Sequence, residues 1–582
     1  MNIKIIIAAA IFLGLTSSCS DFLEQDNRSN VNADEFYKTT KGFESLTTSM
    51  YSSLREIYSN SPLTMTAGTD LFGDGKSAGV AMNYYQHTAT EGNVLLLYTN
   101  LYKSIQLANA VIANGESTAD NSVRQQYIDE ARFIRAFDYF MLVQTFGEVP
   151  LVTKQFNAAE MQFERTDLAT LYDFIISELD QCAHNSSLLT RDKSGVGRAN
   201  KRAAALLLSK AYLTRGYLNG KDYEAQEANI AQSTDFQNAA KYAEEAINGE
   251  QPSLSIEDAF DVQNEENAEI FWSVQFSSSS MASPANDGSY QQAQFGSYLG
   301  GSEMPLTKAI DGNESPFLRL MKMYSKGDGR LEQTFMLELY GTSVEKNGIQ
   351  YFNYYNDTAK PILAYYAPSW ATDADIEAWK ANDPNGQKMN TIITKTVATA
   401  EEGGIGPSTQ VRASWTERRS MDIGVPCIKK FDDYTAASIS NRSSACSTHD
   451  FVAARLGEAY LIAAEAYLQN GNTQKAAEYI NALRKRPGTI KAGFESSMNV
   501  AAADVNIDFI LDERAREMAG EYVRWYDLKR THKLVEYVTK YNEDGVTDAM
   551  MKGSDGKYKI LRPIPQDAID KNQGKVTQNP GY

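Results

Sequence analysis

The amino-acid sequence predicts a mainly α protein, a scaffold of paired helices interrupted by one loop-rich stretch with a few short strands. Three observations carry this. Apolar residues recur every three or four positions through most of the first 250 residues and again after about 450, the period of helices with one buried face. Between about 250 and 440 the chain fills instead with Gly, Ser, Asn, Tyr and Pro, as in SSSSMASPANDGSY (277–290) and GIQYFNYYNDTAKP (348–361), which favours loops and short strands. The segment from Ala464 to Leu483 has a spacing more specific than amphipathicity: Ala464, Tyr467, Gly471, Ala476, Ile480 and Leu483 follow the tetratricopeptide pattern, in which small residues let two helices approach and a glycine turns the chain.

The chain starts with a positive charge at Lys4, an apolar run from Ile5 to Leu15, and the small residues Thr16, Ser17 and Ser18 before Cys19. The run is far shorter than the roughly 20 residues that span a bilayer, so residues 1–18 read as a cleaved signal peptide. The residues before the cysteine are similar to a lipobox, with Leu15 one place further away than usual. This makes Cys19 the lipid-attachment site and residues 19–32 a tether.

Helices are expected near 34–57, 97–114, 124–146, 167–185, 199–217 and 236–248. In RQQYIDEARFIRAFDYFMLVQTF (124–146), Tyr127, Ala131, Ile134, Phe137 and Met141 stack on one face, and Gly147 with Pro150 stops the helix. Ala203–Tyr217 and Phe236–Ile247 repeat the small-residue theme across a polar insertion, so the repeats are degenerate, and several must stack to bury their apolar faces. Glu269–Phe276, EIFWSVQF, reads as a strand, with Trp272 in the core. After 450 the helices return, one of them running from 507 to 537 through DERAREMAGEYVRWYDLKR, and an irregular tail ends at Tyr582. Residues 33–250, 251–450 and 451–582 are the N-terminal helical, loop-rich and C-terminal parts of either several domains or one large helical array.

Composition excludes several classes. A formal net charge of −18 argues against nucleic acid and anionic membrane surfaces, which need clustered Lys and Arg. Besides Cys19, only Cys182, Cys427 and Cys446 are present, with no CxxC spacing, so neither a disulfide framework nor a zinc ribbon is encoded. His87, His184, His449 and His532 are scattered, and no HExxH occurs; no metal or other cofactor is expected.

Two motifs imitate catalytic ones. Gly75–Gly79 matches GxSxG but lacks the strand and helix that a nucleophile elbow requires. The same stretch resembles a phosphate loop, yet Asp70 stands where that loop needs its first glycine and would repel phosphate. Asp512, Glu513, Arg514, Arg516, Glu517, Arg524 and Asp527 read as ion pairs formed locally along a helix, three or four residues apart. No sequence spacing singles out a carboxylate pair for glycoside hydrolysis.

Read together, these segments resemble the SusD/RagB family of outer-membrane glycan-capture lipoproteins, across nearly the whole chain. The matching pieces include CSDFLE at the anchor, Asp34-Glu35-Phe36-Tyr37, YKSIQLANAVIAN (102–114), EARFIRAFDYFMLVQTFGEVPLV (130–152) and GRANKRAAALLLSKAYL (197–213). They continue with EIFWSVQF, AEAYLQNG, ILDERAREMAGEYVRWYDLKR (510–530) and LRPIPQDAIDKNQGKVTQNPGY (561–582). Asp21, Glu24 and Asp26 after the cysteine look like the acidic export tag of Bacteroidota surface lipoproteins. The resemblance implies a tetratricopeptide-like scaffold carrying a loop-rich, ligand-binding half. It implies a non-enzymatic lid on a SusC-like TonB-dependent outer-membrane transporter, binding oligosaccharide or, less often, peptide.

Sugar capture needs aromatic faces against C–H surfaces, with amides and carboxylates for hydroxyls. The chain has 33 Tyr, 24 Phe and 5 Trp, many of which must be core. Those in predicted loops are Tyr84, Tyr85, Tyr98, Tyr290, Phe295, Tyr298, Tyr354, Tyr355, Tyr365, Tyr366, Trp370 and Trp415. Family sites use loops from the first hundred residues and from the middle, which selects Asp70, Asn83, Tyr84, Tyr98, Tyr298 and Trp370 as ligand-binding candidates. Tyr98 stands where relatives often carry Trp. Competing readings are a lipid-anchored glycan hydrolase with an acidic pair in the loop half, a peptide-binding lid of the RagB type, and a tetratricopeptide scaffold for a protein partner alone.

Overall fold

A computed structural model describes residues 36–59, 62–76, 80–117, 123–156, 158–220, 228–277, 288–296, 313–346, 349–353, 360–401, 413–421, 424–433 and 447–582. The signal peptide, Cys19 and its tether, Ser77, Tyr298, Tyr354, Tyr355 and Cys446 lie outside the described residues.

Six helices of the first half fall where the apolar period places them: α1 (Thr40–Tyr58), α2 (Gly92–Ser117), α3 (Arg124–Phe146), α4 (Leu168–His184), α5 (Lys201–Tyr217) and α6 (Asp235–Ile247). Caps fix several starts. The side chains of Thr39, Asp167 and Asn200 accept the N–H groups of Gly42, Thr170 and Ala203, satisfying donors that a helix N-terminus otherwise leaves open. Gly147, at φ 73°, ends α3, and its N–H reaches Val143 O. From Ile128 onward α3 is buried on nearly every face, and the Trp272 indole packs edge-on against Phe133 and Phe137, with ring centroids 5.0 Å apart in both cases. Alanines close the α5–α6 pair: Ala203, Ala239, Ala243 and Ala246 have no exposed surface, and Ser209 Oγ donates to Ala239 O at 2.7 Å.

The middle is built from short pieces. β1 (Phe72–Asp74) pairs antiparallel with β3 (Glu314–Pro316), and β2 (Ile270–Val274) pairs antiparallel with β8 (Phe451–Arg455). A separate sheet has the order β5 (Ile349–Asn353), β4 (Glu338–Lys346), β6 (Ile362–Ala367), β7 (Ile392–Lys395), with β6 and β7 parallel. Among these strands lie the short helices α7 (Leu318–Met323), α8 (Arg330–Thr334), α9 (Asp373–Ala381) and α10 (Trp415–Arg419).

The tetratricopeptide spacing gives α11 (Leu456–Gln469) and α12 (Thr473–Arg484), turned at Gly471, which has φ +77°. α11 also packs against α6, so the two helix pairs stack as repeats do. The single helix expected over 507–537 is instead three: α13 (Ile507–Glu517), α14 (Arg524–Arg530) and α15 (Leu534–Tyr541). Gly520, Tyr522 and His532 have φ +76°, +59° and +61°, a left-handed backbone that no α-helix continues through.

The charges of α13 form a buried network across elements, with only a minor local component. Glu513 takes Arg330 at 3.0 Å and Arg484 at 2.6 Å, while Glu517 takes Arg455 at 2.9 Å. Arg516 with Glu513 is a pair of the expected i,i+3 kind. Burial pushes the Glu517 carboxyl up, but Arg486, Arg455 and Arg330 together outweigh it and hold it at about 2. Among the described residues no helix is long and apolar enough to cross a membrane, and no group of three His, Cys, Asp or Glu could hold a metal ion. Cys182 is a buried free thiol, and Cys427 is buried as well.

Candidate functional site

The β1–β3 ladder brings the loop of residues 67–86 against the middle of the chain and α10. Gly73 permits that approach, since a Cβ there would lie 2.1 Å from Asp544 Oδ2 and 2.3 Å from the Phe317 ring. Asp74 is the hub. Its N–H donates to Asp544 Oδ2 at 2.8 Å, its carbonyl accepts Arg419 Nη1 at 3.1 Å, and its carboxylate accepts Asn83 Nδ2 at 2.7 Å. Arg419 and Asp544 form a buried ion pair. The other end of the Asn83 amide accepts Gly68 N–H at 3.1 Å, so this side chain orders the loop from within.

Tyr84 and Tyr85 diverge from one backbone turn. Tyr85, at φ 57°, is fully buried and donates its hydroxyl to Gly68 O at 2.8 Å, while Tyr84 stays half-buried beside Asp74. Burial first, and then the carboxylates of Asp544 and Asp74, push the Tyr84 phenol above its ordinary range, so it keeps its proton and serves as a donor. Tyr290 flanks this floor, its hydroxyl accepting Asn313 Nδ2 at 3.0 Å. A partly open ring held in place by a buried amide and carboxylate can meet one C–H face of a sugar.

The five described candidates do not converge. Asp70 has no exposed surface; Arg524 donates to it through Nε at 2.8 Å and Nη2 at 2.7 Å, and Arg319 through Nε at 3.1 Å. Asn83 is likewise fully buried, and only Tyr84 reaches the surface at this floor. Tyr98 is 9% exposed on α2, its ring edge-on to Phe146 at 5.1 Å. Trp370 is half-buried beyond β6, with the Lys326 and Lys491 ammonium groups 5.5 and 5.3 Å from its ring. Among the other aromatics expected in loops, Trp415, Phe295 and Tyr366 are core, and Trp415 and Tyr366 lie in α10 and β6 rather than in loops.

A second aromatic surface lies on the β4–β6 face. Tyr365 stacks on Trp379 of α9 with centroids 4.1 Å apart and planes within 4°, and Glu338 accepts both Trp379 Nε1 and the Tyr340 hydroxyl at 2.8 Å. Asp74, Arg419, Asp544, Glu338 and Trp379 were not among the sequence candidates. The hint for Asp74 is its place four residues after Asp70 and beside Gly75; for Trp379 it is the capping box Thr372–Asp375 that starts its helix. Arg419 and Asp544 meet only through tertiary contact, 125 residues apart.

Comparison with known proteins gives concordant results. The SusD family model matches residues 213–582, and a model described as "Starch-binding associating with outer membrane" matches residues 21–213. "SusD-like protein P2" of Formosa agariphila is 25% identical over 578 residues, covering 97% of both chains. "Starch-binding protein SusD" of Bacteroides thetaiotaomicron is 25% identical over 493 residues, 84% of this chain and 78% of that protein. Among solved structures, a "Laminarin binding SusD-like protein" superposes with a TM-score of 0.63 at 20% identity, over 94% of this chain and 100% of its own. "Surface glycan-binding protein A from Bacteroides thetaiotaomicron in complex with laminarihexaose" gives 0.64 at 18% identity, with the same coverage.

Proposed function

The chain belongs to the SusD family, and on that premise we propose that it is a surface lipoprotein that binds oligosaccharide or polysaccharide and passes it to a SusC-like TonB-dependent transporter. Members of this family are carbohydrate-binding proteins and not enzymes. The observation that carries the reading is the Tyr84 ring, half-buried at the surface in a loop ordered by the buried Asp74–Asn83 hydrogen bond. Relatives named for starch and laminarin support glycan as the ligand class. Lipid attachment at Cys19 would keep the protein at the outer membrane beside its barrel, where tethering raises the effective concentration of weakly held sugar. Contacts of this kind give affinities on the order of millimolar to micromolar.

Isothermal titration against a polysaccharide panel tests the reading. Binding to at least one glycan, weakened about tenfold or more by Tyr84→Ala, is expected, together with co-purification of a barrel protein from membranes. Absence of any glycan binding, or binding indifferent to Tyr84→Ala, overturns it. A Cys19→Ala protein should bind the same glycan but leave the membrane.

A further inference from the structure

A pocket of about 340 Å³ opens between α2, the segment that follows α3, and the C-terminal tail; it shares no lining residue with the loop floor around Asp74. Leu95, Tyr98, Tyr102 and Gln106 form one wall, successive turns of a single face of α2. Phe156 and Phe163 supply two further rings from the segment after α3.

The walls are tied in place. The Tyr102 hydroxyl donates to Pro150 O at 2.8 Å, and Asn572 brackets Phe163, accepting its N–H at 2.9 Å and donating to its carbonyl at 2.8 Å. Gln573 N–H reaches Met161 O at 2.6 Å. Rigid, ring-lined concavities of this size are how proteins bind small ligands.

The polar inventory narrows the ligand. The Gln106 amide and the Thr99 hydroxyl make no side-chain hydrogen bond among the described residues, and the Asp567 carboxylate at the edge holds only Lys571, at 2.8 Å. Three such groups cannot satisfy every hydroxyl of a plain hexose, and those left facing the rings would lose their water without replacement. A ring with no hydroxyl would in turn leave the Gln106 amide against an apolar surface. The carboxylate of Asp567 disfavours an acidic sugar.

We propose that this pocket is a second glycan-contact site, taking a neutral sugar ring that bears an apolar substituent such as an aryl group. The proposal rests on the glycan-binding reading above and adds to it a place and a ligand subclass.

Saturation-transfer NMR on the full chain tests it, with a panel of p-nitrophenyl glycosides, the matching free sugars and p-nitrophenol. At least one aryl glycoside should saturate more strongly than its free sugar and than p-nitrophenol, and Phe163→Ala and Gln106→Leu should each lower that signal about fivefold or more. Polysaccharide titration run in parallel reads the loop floor separately, and both variants should leave it unchanged. No saturation by any aryl glycoside, saturation indifferent to both variants, or p-nitrophenol binding as well as its glycosides overturns the proposal. If Phe163→Ala lowers the thermal midpoint, Gln106→Leu alone decides, since that side chain is half-buried and bonded to nothing nearby.

Discussion

At Asp70 a carboxylate without exposed surface is shared by two guanidinium groups, and its worth is the difference between a satisfied and a stranded charge. Burial raises its pKa, but Arg524 and then Arg319 outweigh that and hold it below the ordinary carboxylate range. Asp70→Asn keeps the shape and removes the charge; it should cost about 3–5 kcal/mol, because Arg524 would stay buried without its bidentate partner. Chemical denaturation measures this, and a loss under about 1 kcal/mol would contradict the assignment. His449 carries a pH signature. Burial alone would lower it, but the Glu265 carboxylate at 3.1 Å and the carbonyls of Phe260 and Asp450 raise it to about 9. With a folded value above the unfolded 6.5 or so, its contribution is complete below about pH 6.5 and disappears as the pH rises through 9. Thermal midpoints should therefore fall across that window, and His449→Gln should flatten the fall; an unchanged slope in the variant would sink the idea. Such roles are invisible in sequence. Asp70 and Asn83 have the residue type of sugar ligands, and only the burial of both shows them supporting the loop that presents Tyr84.

Elements were legible in proportion to how local their causes are. α1 to α6 and the α11–α12 pair follow from apolar period, caps and small-residue spacing, all encoded within a few turns. The split of 507–537 was not legible, since its apolar pattern continues across the break and the left-handed residues include Tyr522 and His532, which carry no turn signal. Gly520 is the legible part of that break. At φ +76° its missing Cβ would sit 2.7 Å from the Phe431 ring and 2.8 Å from Ile428 Cδ1, and its carbonyl accepts Gln291 Nε2 at 2.9 Å. Gly520→Ala therefore meets both backbone strain and a clash, and should destabilise by about 1–3 kcal/mol, read as a lower denaturation midpoint with unchanged m-value. A neutral outcome would mean that the turn between α13 and α14 is set by other residues. The candidate site was half legible for the same reason: the sequence locates the loops, whereas the Asp74–Arg419–Asp544 junction joins residues far apart in the chain.

Across the whole molecule, the C-terminal tail is the strap that holds the candidate site to the helical scaffold. Arg562 is fully buried and lies 4.4 Å from the Trp525 ring; it donates through Nε to Thr64 O at 3.0 Å and through Nη2 to Ala67 O at 2.8 Å. Asn579 Nδ2 then ties the Arg562 carbonyl at 2.7 Å and the end of α3, Phe146 O, at 2.8 Å, while the Tyr582 hydroxyl meets His87 Nε2 at 2.7 Å. The strap thus grips the chain on both sides of the 67–86 loop. A lysine at 562 can reach one carbonyl but cannot bridge two, so Arg562→Lys leaves a buried acceptor open and the loop free to shift. The expected loss is about 2–4 kcal/mol in stability, accompanied by a several-fold weaker glycan affinity, although residue 562 itself is buried away from any ligand. Lys571→Met, an exposed change on the same tail, should alter neither. If Arg562→Lys lowers stability and leaves affinity untouched at a temperature where the variant is fully folded, the strap stabilises the fold without positioning the site, and Tyr84 is held by the Asp74 floor alone.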